Sequence, residues 1–217
     1  MERDIKDDQN TNISEIDIMK HPQTETLVFR YLLANSWCKD KVVLDAACGK
    51  AYGSVILKAL GAKSVTAIDN DEPSIIEAKQ RYGDFVDIKQ LDITTPNDKY
   101  NNTFDTSVSI ETFEHLPPEK IKEYLTNLRN WTKNNGTVFI TTPQRGPTYW
   151  EYKGGTHLKE YSIEEFATIL IDVFGDGNVV LFGIDEVRAG EVGQLISVIK
   201  QSPRQGNILV AVITNKK

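Results

Sequence analysis

The feature that most constrains this chain is an alternation of short apolar, β-branched runs with amphipathic helical patterns, sustained from Lys41 to Phe182. Lys41–Ala46 reads as a buried strand, because Val42, Val43 and Leu44 are consecutive and a continuous apolar run fits a strand covered on both faces. Ser64–Asp69, Phe85–Leu91, Phe104–Ile110, Thr137–Thr142 and Asn178–Phe182 read as further strands. Between them lie helical patterns at Ala51–Leu60, closed by Gly61, and at Glu72–Tyr82, with Pro73 in its first turn and Gly83 beyond its end. Pro117–Lys133 places Ile121, Leu125, Leu128 and Trp131 on one side, with Asn134-Asn135-Gly136 as its stop. Ser162–Phe174 is the last helix. An amphipathic helix over Gln23–Trp37, with Leu27, Val28, Tyr31 and Leu32 on one face, precedes the series. Of two late apolar runs, Ile208–Ile213 is expected to be a strand, and Leu195–Ile199 is left unassigned. Strand–helix alternation predicts an α/β fold, a mostly parallel sheet with helices on both faces. Right-handed crossovers make it doubly wound.

Composition narrows the class. A length of 217 residues suits one domain. Residues 1–20 are expected to form a mobile acidic tail and residues 21–217 a single domain. The formal net charge of −6 disfavours unselective binding to nucleic acid, which relies on Lys and Arg meeting phosphates. No apolar run approaches the ~20 residues of a membrane span, and the charged start MERDIKDDQN argues against a signal peptide. Cys38 and Cys48 are the only cysteines. Two thiols make no disulfide framework, so a reducing, cytoplasmic setting is expected. Oligomeric state is not legible from the sequence.

In a doubly wound sheet, ligands sit beyond the carboxyl ends of the strands. After the first strand comes Asp45-Ala-Ala-Cys-Gly-Lys-Ala-Tyr-Gly53, with small residues at Ala46, Ala47, Gly49, Ala51 and Gly53. Small side chains permit tight turns and close backbone approach to a ligand, and the helix that follows offers free N–H groups to an anion. The second strand ends at Asp69, whose carboxylate can accept hydrogen bonds from two ribose hydroxyls. The third ends at Leu91-Asp92-Ile93, an acid beside an aliphatic, suited to an adenine amino group and ring. Each feature has a plainer reading: a tight turn with no ligand, a helix cap at Asp69, a turn former at Asp92. Their occurrence at successive strand ends is the stronger signal. A dinucleotide fingerprint, G-x-G-x-x-G, fails because Tyr52 fills its third glycine position and Gly53 comes one residue late.

VVLDAACGKAYGS, VTAIDND, LDI, FDTSVSIETFEHLP and GTVFITTP, in that order, resemble the motif series of the Rossmann-like S-adenosylmethionine (SAM)-dependent methyltransferases. The resemblance covers roughly residues 25–175 and implies a seven-stranded sheet whose last strand is antiparallel. It also implies that Asp45, Ala47 and Gly49 surround the methionine part of SAM, that Asp69, with Asn70 beside it, takes the ribose hydroxyls, that Asp92 and Ile93 hold the adenine, and that Ile110 and Glu111 close the floor. The family's loop usually carries glycine where this chain has Ala47 and Ala51.

The reactive side rests on Glu111-Thr-Phe-Glu114-His115 after the fourth strand and on His157 in the long loop after the fifth. SAM carries an activated methyl group, so alignment of a nucleophile is the main task. A hydroxyl nucleophile also needs a base or a metal. Glu111, Glu114, His115 and His157 offer ligands for Mg²⁺ or Mn²⁺. This pattern is similar to that of the ubiquinone-pathway O-methyltransferases and of the small-RNA terminal 2′-O-methyltransferases. Two other readings stand beside it: His115 as a metal-free base with Glu114 and His157 around it, and a structural role in which Glu114 caps the helix near Pro117. The loop Gln144–Glu160 carries Tyr149, Trp150, Tyr152 and Gly154-Gly155, which suit a lid over a flat or sugar-like substrate. His21 or Arg30 of the first helix can approach SAM from the other side, with surface solvation as the plainer alternative. The expected activity is methyl transfer to a small-molecule hydroxyl. The alternatives are a metal-assisted enzyme for an RNA or DNA end and a SAM-binding module without catalysis.

Overall fold

The computed structural model describes residues 24–145, 157–189 and 194–217. The tail, His21 and the aromatics Tyr149, Trp150 and Tyr152 lie outside the described residues.

An eight-stranded sheet forms the centre, in the order β3-β2-β1-β4-β5-β8-β6-β7. Its strands are β1 Val42–Ala46, β2 Ser64–Asp69, β3 Asp87–Gln90, β4 Phe104–Ile110, β5 Thr132–Pro143, β6 Val179–Ala189, β7 Gln194–Lys200 and β8 Ile208–Asn215. β1 to β5 are mutually parallel. β8 runs antiparallel to both β5 and β6, and β7 antiparallel to β6. The expected seven strands are eight among the described residues, and the unassigned run Leu195–Ile199 is the additional one. β6 exceeds its expected length because its second half, from Gly183, turns from β8 to β7 as partner.

The helices are α1 Thr24–Ala34, α2 Tyr52–Ala59, α3 Glu72–Tyr82, α4 Ile121–Trp131 and α5 Ile163–Phe174. Two apolar cores lie on opposite faces of the sheet. Val43 and Val210 belong to the core that holds Tyr31, Leu57 and Ile75. Their chain neighbours Leu44, Leu209 and Ala211 belong to the core of Leu125, Leu128, Phe166 and Leu170. That is the period-two alternation of a strand covered on both sides.

Local signals behave as their chemistry dictates at most ends. Asp71 caps α3 by accepting from Ser74 N at 3.0 Å, and Ser162 and Glu165 form a reciprocal capping box on α5. Three expectations are corrected. Asn134-Asn135-Gly136 does not end α4, which stops at Trp131; these residues lie within β5, with Asn135 at φ 60°, and the β4–β5 register shifts between Phe104 and Thr106 to absorb them. Leu27 and Leu32 are exposed, and the inward side of α1 is formed by Arg30, Tyr31 and Ala34. β3 is shorter than expected, with Phe85 left outside it and exposed. Among the described residues, no helix is long and apolar enough to cross a membrane.

Candidate functional site

The turn after β1 consists of alternate left-handed residues: Ala47 at φ 64°, Gly49 at 52° and Ala51 at 61°. Left-handed backbone costs an L-residue with a Cβ about 1–2 kcal/mol, so this turn is held by its surroundings rather than by its own preference. Cys48 N donates to Ile68 O at 2.9 Å, and Ala51 N to Cys48 O at 2.9 Å. Gly49 N donates to Asp69 Oδ2 at 2.7 Å, and Asp71 N donates to Asp69 Oδ1 at 2.9 Å. Asp69 therefore sits at the loop it was expected to accompany, and Asp71, not Asp69, caps α3. A Cβ built on Gly49 would meet nothing within 4 Å, so the loop faces open space there. The N-terminus of α2, which follows this loop, has no side-chain cap, and an uncapped helix start suits an anion such as a carboxylate. Open space at Gly49, an uncapped helix start and the Asp69 carboxylate are features that could hold the amino-acid and ribose parts of a cofactor.

The other expected cofactor residues lie along the same strand ends. Asn70 is exposed, and its carbonyl accepts from Gln90 Nε2 at 3.3 Å. Asp92 is exposed, and its Oδ1 accepts from both N and Oγ1 of Thr94 at 2.8 Å, so it forms a turn as the plainer reading had it. Ile93 is buried, and its carbonyl accepts from Asn127 Nδ2 at 2.9 Å. Ile110 is buried at the end of β4. Cys48 is a packing residue: burial and the nearby Asp45 charge push its thiol well above the usual range.

Asp45 is fully enclosed. Its carboxylate points at helices, accepting from Tyr31 Oη at 3.2 and 3.3 Å and from Ser54 Oγ at 2.5 Å. Burial pushes its pKa up to about 6, against the lowering effect of those two hydroxyls. Gly53 serves Tyr31 rather than a ligand, since a Cβ there would lie 1.8 Å from Tyr31 Cζ. Tyr52 packs on Tyr82, ring centroids 6.0 Å apart.

Beyond β4, Glu111 adopts φ 52°. Its backbone N–H donates to Thr141 O at 3.2 Å, and Thr141 Oγ1 donates to Glu111 Oε1 at 2.8 Å. Arg30 Nη1 lies 3.5 Å from Glu111 Oε2. Arg30 is buried, which sets aside surface solvation for it.

Glu114, His115 and His157 meet, with one ligand atom from each lying within 4.8 Å of the others. The short helical turn Phe113–His115 presents the first two. The third arrives because Leu158 N and Lys159 N donate to Glu114 O at 2.7 and 3.2 Å. The two imidazoles meet edge to face, 4.9 Å between centroids, and His157 Nδ1 pairs with Glu160 Oε1 at 3.1 Å. Glu114 is fully buried. Its Oε2 accepts from Thr142 Oγ1 at 2.9 Å, while Oε1 has no hydrogen-bond partner among the described residues and lies 3.8 Å from His115 Nε2. Burial, and then the Glu111 charge, push the Glu114 carboxyl up to about 8. Glu114 caps no helix: the turn and helix after it start without a side-chain cap. Glu111 stands apart from the three-residue group, engaged by Arg30 and Thr141.

Sequence reasoning missed Tyr31, Ser54, Thr141, Thr142 and Glu160. For Tyr31 a signal existed: a charged Arg30 beside it on the apolar side of a helix marks a buried partner. The threonines of β5 offered none, because strand threonines are common for packing alone.

Comparison with known proteins bears on the fold and on the matched domain. Residues 43–136 match the family model described as a methyltransferase domain. The chain is 24% identical over 152 residues to a Mycobacterium tuberculosis protein named a probable S-adenosylmethionine-dependent methyltransferase, covering 68% of this chain and 53% of that one. It thus spans about half the length of the curated relatives it matches first. A Thermotoga maritima SAM-dependent methyltransferase superposes with TM-score 0.67 at 16% identity, over 89% of this chain and 93% of that one. The methyltransferase domain of a bacterial Hen1 does so with TM-score 0.65 at 18% identity, over 89% and 100%. These similarities do not single out the ubiquinone-pathway subtype. Residues 43–136 thus resemble a methyltransferase domain, and the chain shares its fold with solved SAM-dependent methyltransferases.

Proposed function

We propose that the chain transfers the methyl group of SAM to a hydroxyl oxygen of a small-molecule acceptor, with Glu114, His115 and His157 at the acceptor side. The observation that carries the reading is Glu114 Oε1, a fully buried carboxylate oxygen without a hydrogen-bond partner among the described residues, in a group with two imidazoles. A buried unpaired oxygen is costly, and it persists where a ligand completes it.

One carboxylate and two imidazoles within 4.8 Å suit a divalent cation such as Mg²⁺ or Mn²⁺. Glu114, His115 and His157 would hold it, and the ion when bound lowers the pKa of a coordinated hydroxyl. The chain's own residues do the rest. Asp69, the Ala47–Ala51 turn and the N-terminus of α2 hold the cofactor, and the Glu111–Arg30 pair fixes the floor between cofactor and acceptor. With the ion bound, the acceptor's hydroxyl proton would pass to solvent; without it, His115, half-buried and beside Glu114, would instead be the base that takes it. Alignment of oxygen, methyl carbon and sulfonium sulfur then supplies most of the acceleration.

The test uses SAM carrying a labelled methyl group, offered to catechols and to oligonucleotides with free 3′ ends, with EDTA and with Mg²⁺ or Mn²⁺ restored. Labelled small-molecule ether, lost with EDTA, is the expected result. Label on oligonucleotide ends, with turnover falling steeply as salt rises, would move the reading to the nucleic-acid alternative. Turnover indifferent to EDTA would leave His115 as a metal-free base, and SAM binding with no transfer to any acceptor would leave a binding module.

A further inference from the structure

Helix α1 places two adjacent residues on two acids at neighbouring strand ends: Arg30 on Glu111 after β4, and Tyr31 on Asp45 in β1. The second contact carries a consequence for the cofactor. Asp45 and Ser54 lie at the two ends of the turn that holds Ala47, Gly49 and Ala51, and Ser54 Oγ donates to Asp45 Oδ2, which closes the turn like a clasp. The turn contains two alanines in left-handed backbone, so it depends on its ends being fixed. Among the described residues, Tyr31 supplies the other side-chain donor on the Asp45 carboxylate. Space for its ring exists because residue 53 is glycine.

We infer that Tyr31 is a positioning residue for SAM: its hydroxyl fixes Asp45, and through Asp45 the turn that receives the cofactor, so that docking of α1 and cofactor binding are coupled. Tyr31 is buried behind the turn and contacts the Asp45 carboxylate, not the open side at Gly49. Its effect therefore falls on cofactor affinity. The inference rests on the cofactor reading, and its test separates the two.

The experiment is calorimetry of SAM and S-adenosylhomocysteine binding to the full chain, for wild type, Tyr31→Phe, Asp45→Asn and the double variant. Tyr31→Phe keeps the ring over Gly53 and removes only the hydroxyl. A hydrogen bond to a charged group is worth roughly tenfold in affinity or more, so Tyr31→Phe is expected to weaken both ligands about tenfold while the melting transition stays cooperative. The double variant should bind no worse than Asp45→Asn alone, because Tyr31 acts through Asp45. Ser54→Ala, which removes the other donor, should weaken SAM in the same way. Unchanged affinity in Tyr31→Phe, or additive losses in the double variant, would overturn the inference. Failure of the wild type to bind SAM would instead sink the cofactor reading.

Discussion

Arg30 Nη1 stands 3.5 Å from Glu111 Oε2, with the two side chains 5% and 17% exposed. A buried ion pair contributes little net stability against an apolar pair of the same shape. Removal of one partner is different, because it leaves a charge enclosed and unpaired. Arg30→Ala is therefore expected to destabilise the chain by about 3 kcal/mol, and Arg30→Met combined with Glu111→Gln by much less. Urea denaturation of the three proteins checks this; equal losses in the single and double variants would show that the pair is not a unit.

Ala47 and Ala51 occupy left-handed backbone at φ 64° and 61°. Glycine at such a site relieves about 1–2 kcal/mol and gives back roughly 0.4–1 kcal/mol through its freer unfolded chain. Ala51 is fully buried, so its methyl also contributes about 0.8 kcal/mol of burial, whereas Ala47 is only half-buried. Ala47→Gly should then stabilise by about 0.5 kcal/mol and Ala51→Gly should be near neutral. Shifts in denaturation midpoint at constant slope give the answer, and a loss on Ala47→Gly would mean that its methyl packs usefully.

Much of this fold was legible because its signals are local. Ser64–Asp69, Glu72–Tyr82 and Phe104–Ile110 agree with the sequence reading to the residue, since apolar periodicity, Pro73 and the strand-end acids all speak within one element. β7 was not legible, because an apolar run of five residues becomes a strand only when β6 lengthens to pair with it. The break at Asn134-Asn135-Gly136 has the composition of a helix stop, while the sheet uses it as a bulge inside β5. At the site, Asp69 was placed by its position alone. Partners such as Tyr31, Thr141 and Thr142 depend on packing between distant segments, which no spacing reveals.

Asp69 holds its two oxygens toward the N–H groups of Gly49 and Asp71, so it anchors the turn after β1; on the reading proposed above it also receives the ribose hydroxyls. Asp69→Ala removes both functions. Its affinity for SAM is expected to fall about a hundredfold, from loss of hydrogen bonds to a charged acceptor worth about 1.5–3 kcal/mol each. Calorimetry at fixed salt measures it, and a change below threefold would place the ribose elsewhere.

Glu114 supplies the prediction for pH. Its carboxyl ordinarily titrates at 4.5 and is pushed up to about 8 by burial and by the Glu111 charge. Between those values the folded state keeps a proton that the unfolded chain releases. More protons bound in the folded state means that stability falls as pH rises. The contribution is complete below about pH 4.5 and is lost as pH rises through about 8. Asp45, pushed up from 3.8 to about 6, acts in the same direction in a lower window. Glu114→Gln carries no ionisation, so in EDTA its stability relative to wild type should rise by a few kcal/mol between pH 5 and pH 9. Denaturant midpoints across that range provide the measurement. Parallel pH profiles for the two proteins would show that Glu114 ionises without penalty in the folded chain. Added Mn²⁺ should selectively restore wild-type stability at the alkaline end, because a bound cation favours the ionised carboxylate; an equal gain in Glu114→Gln would remove Glu114 from the ligand set.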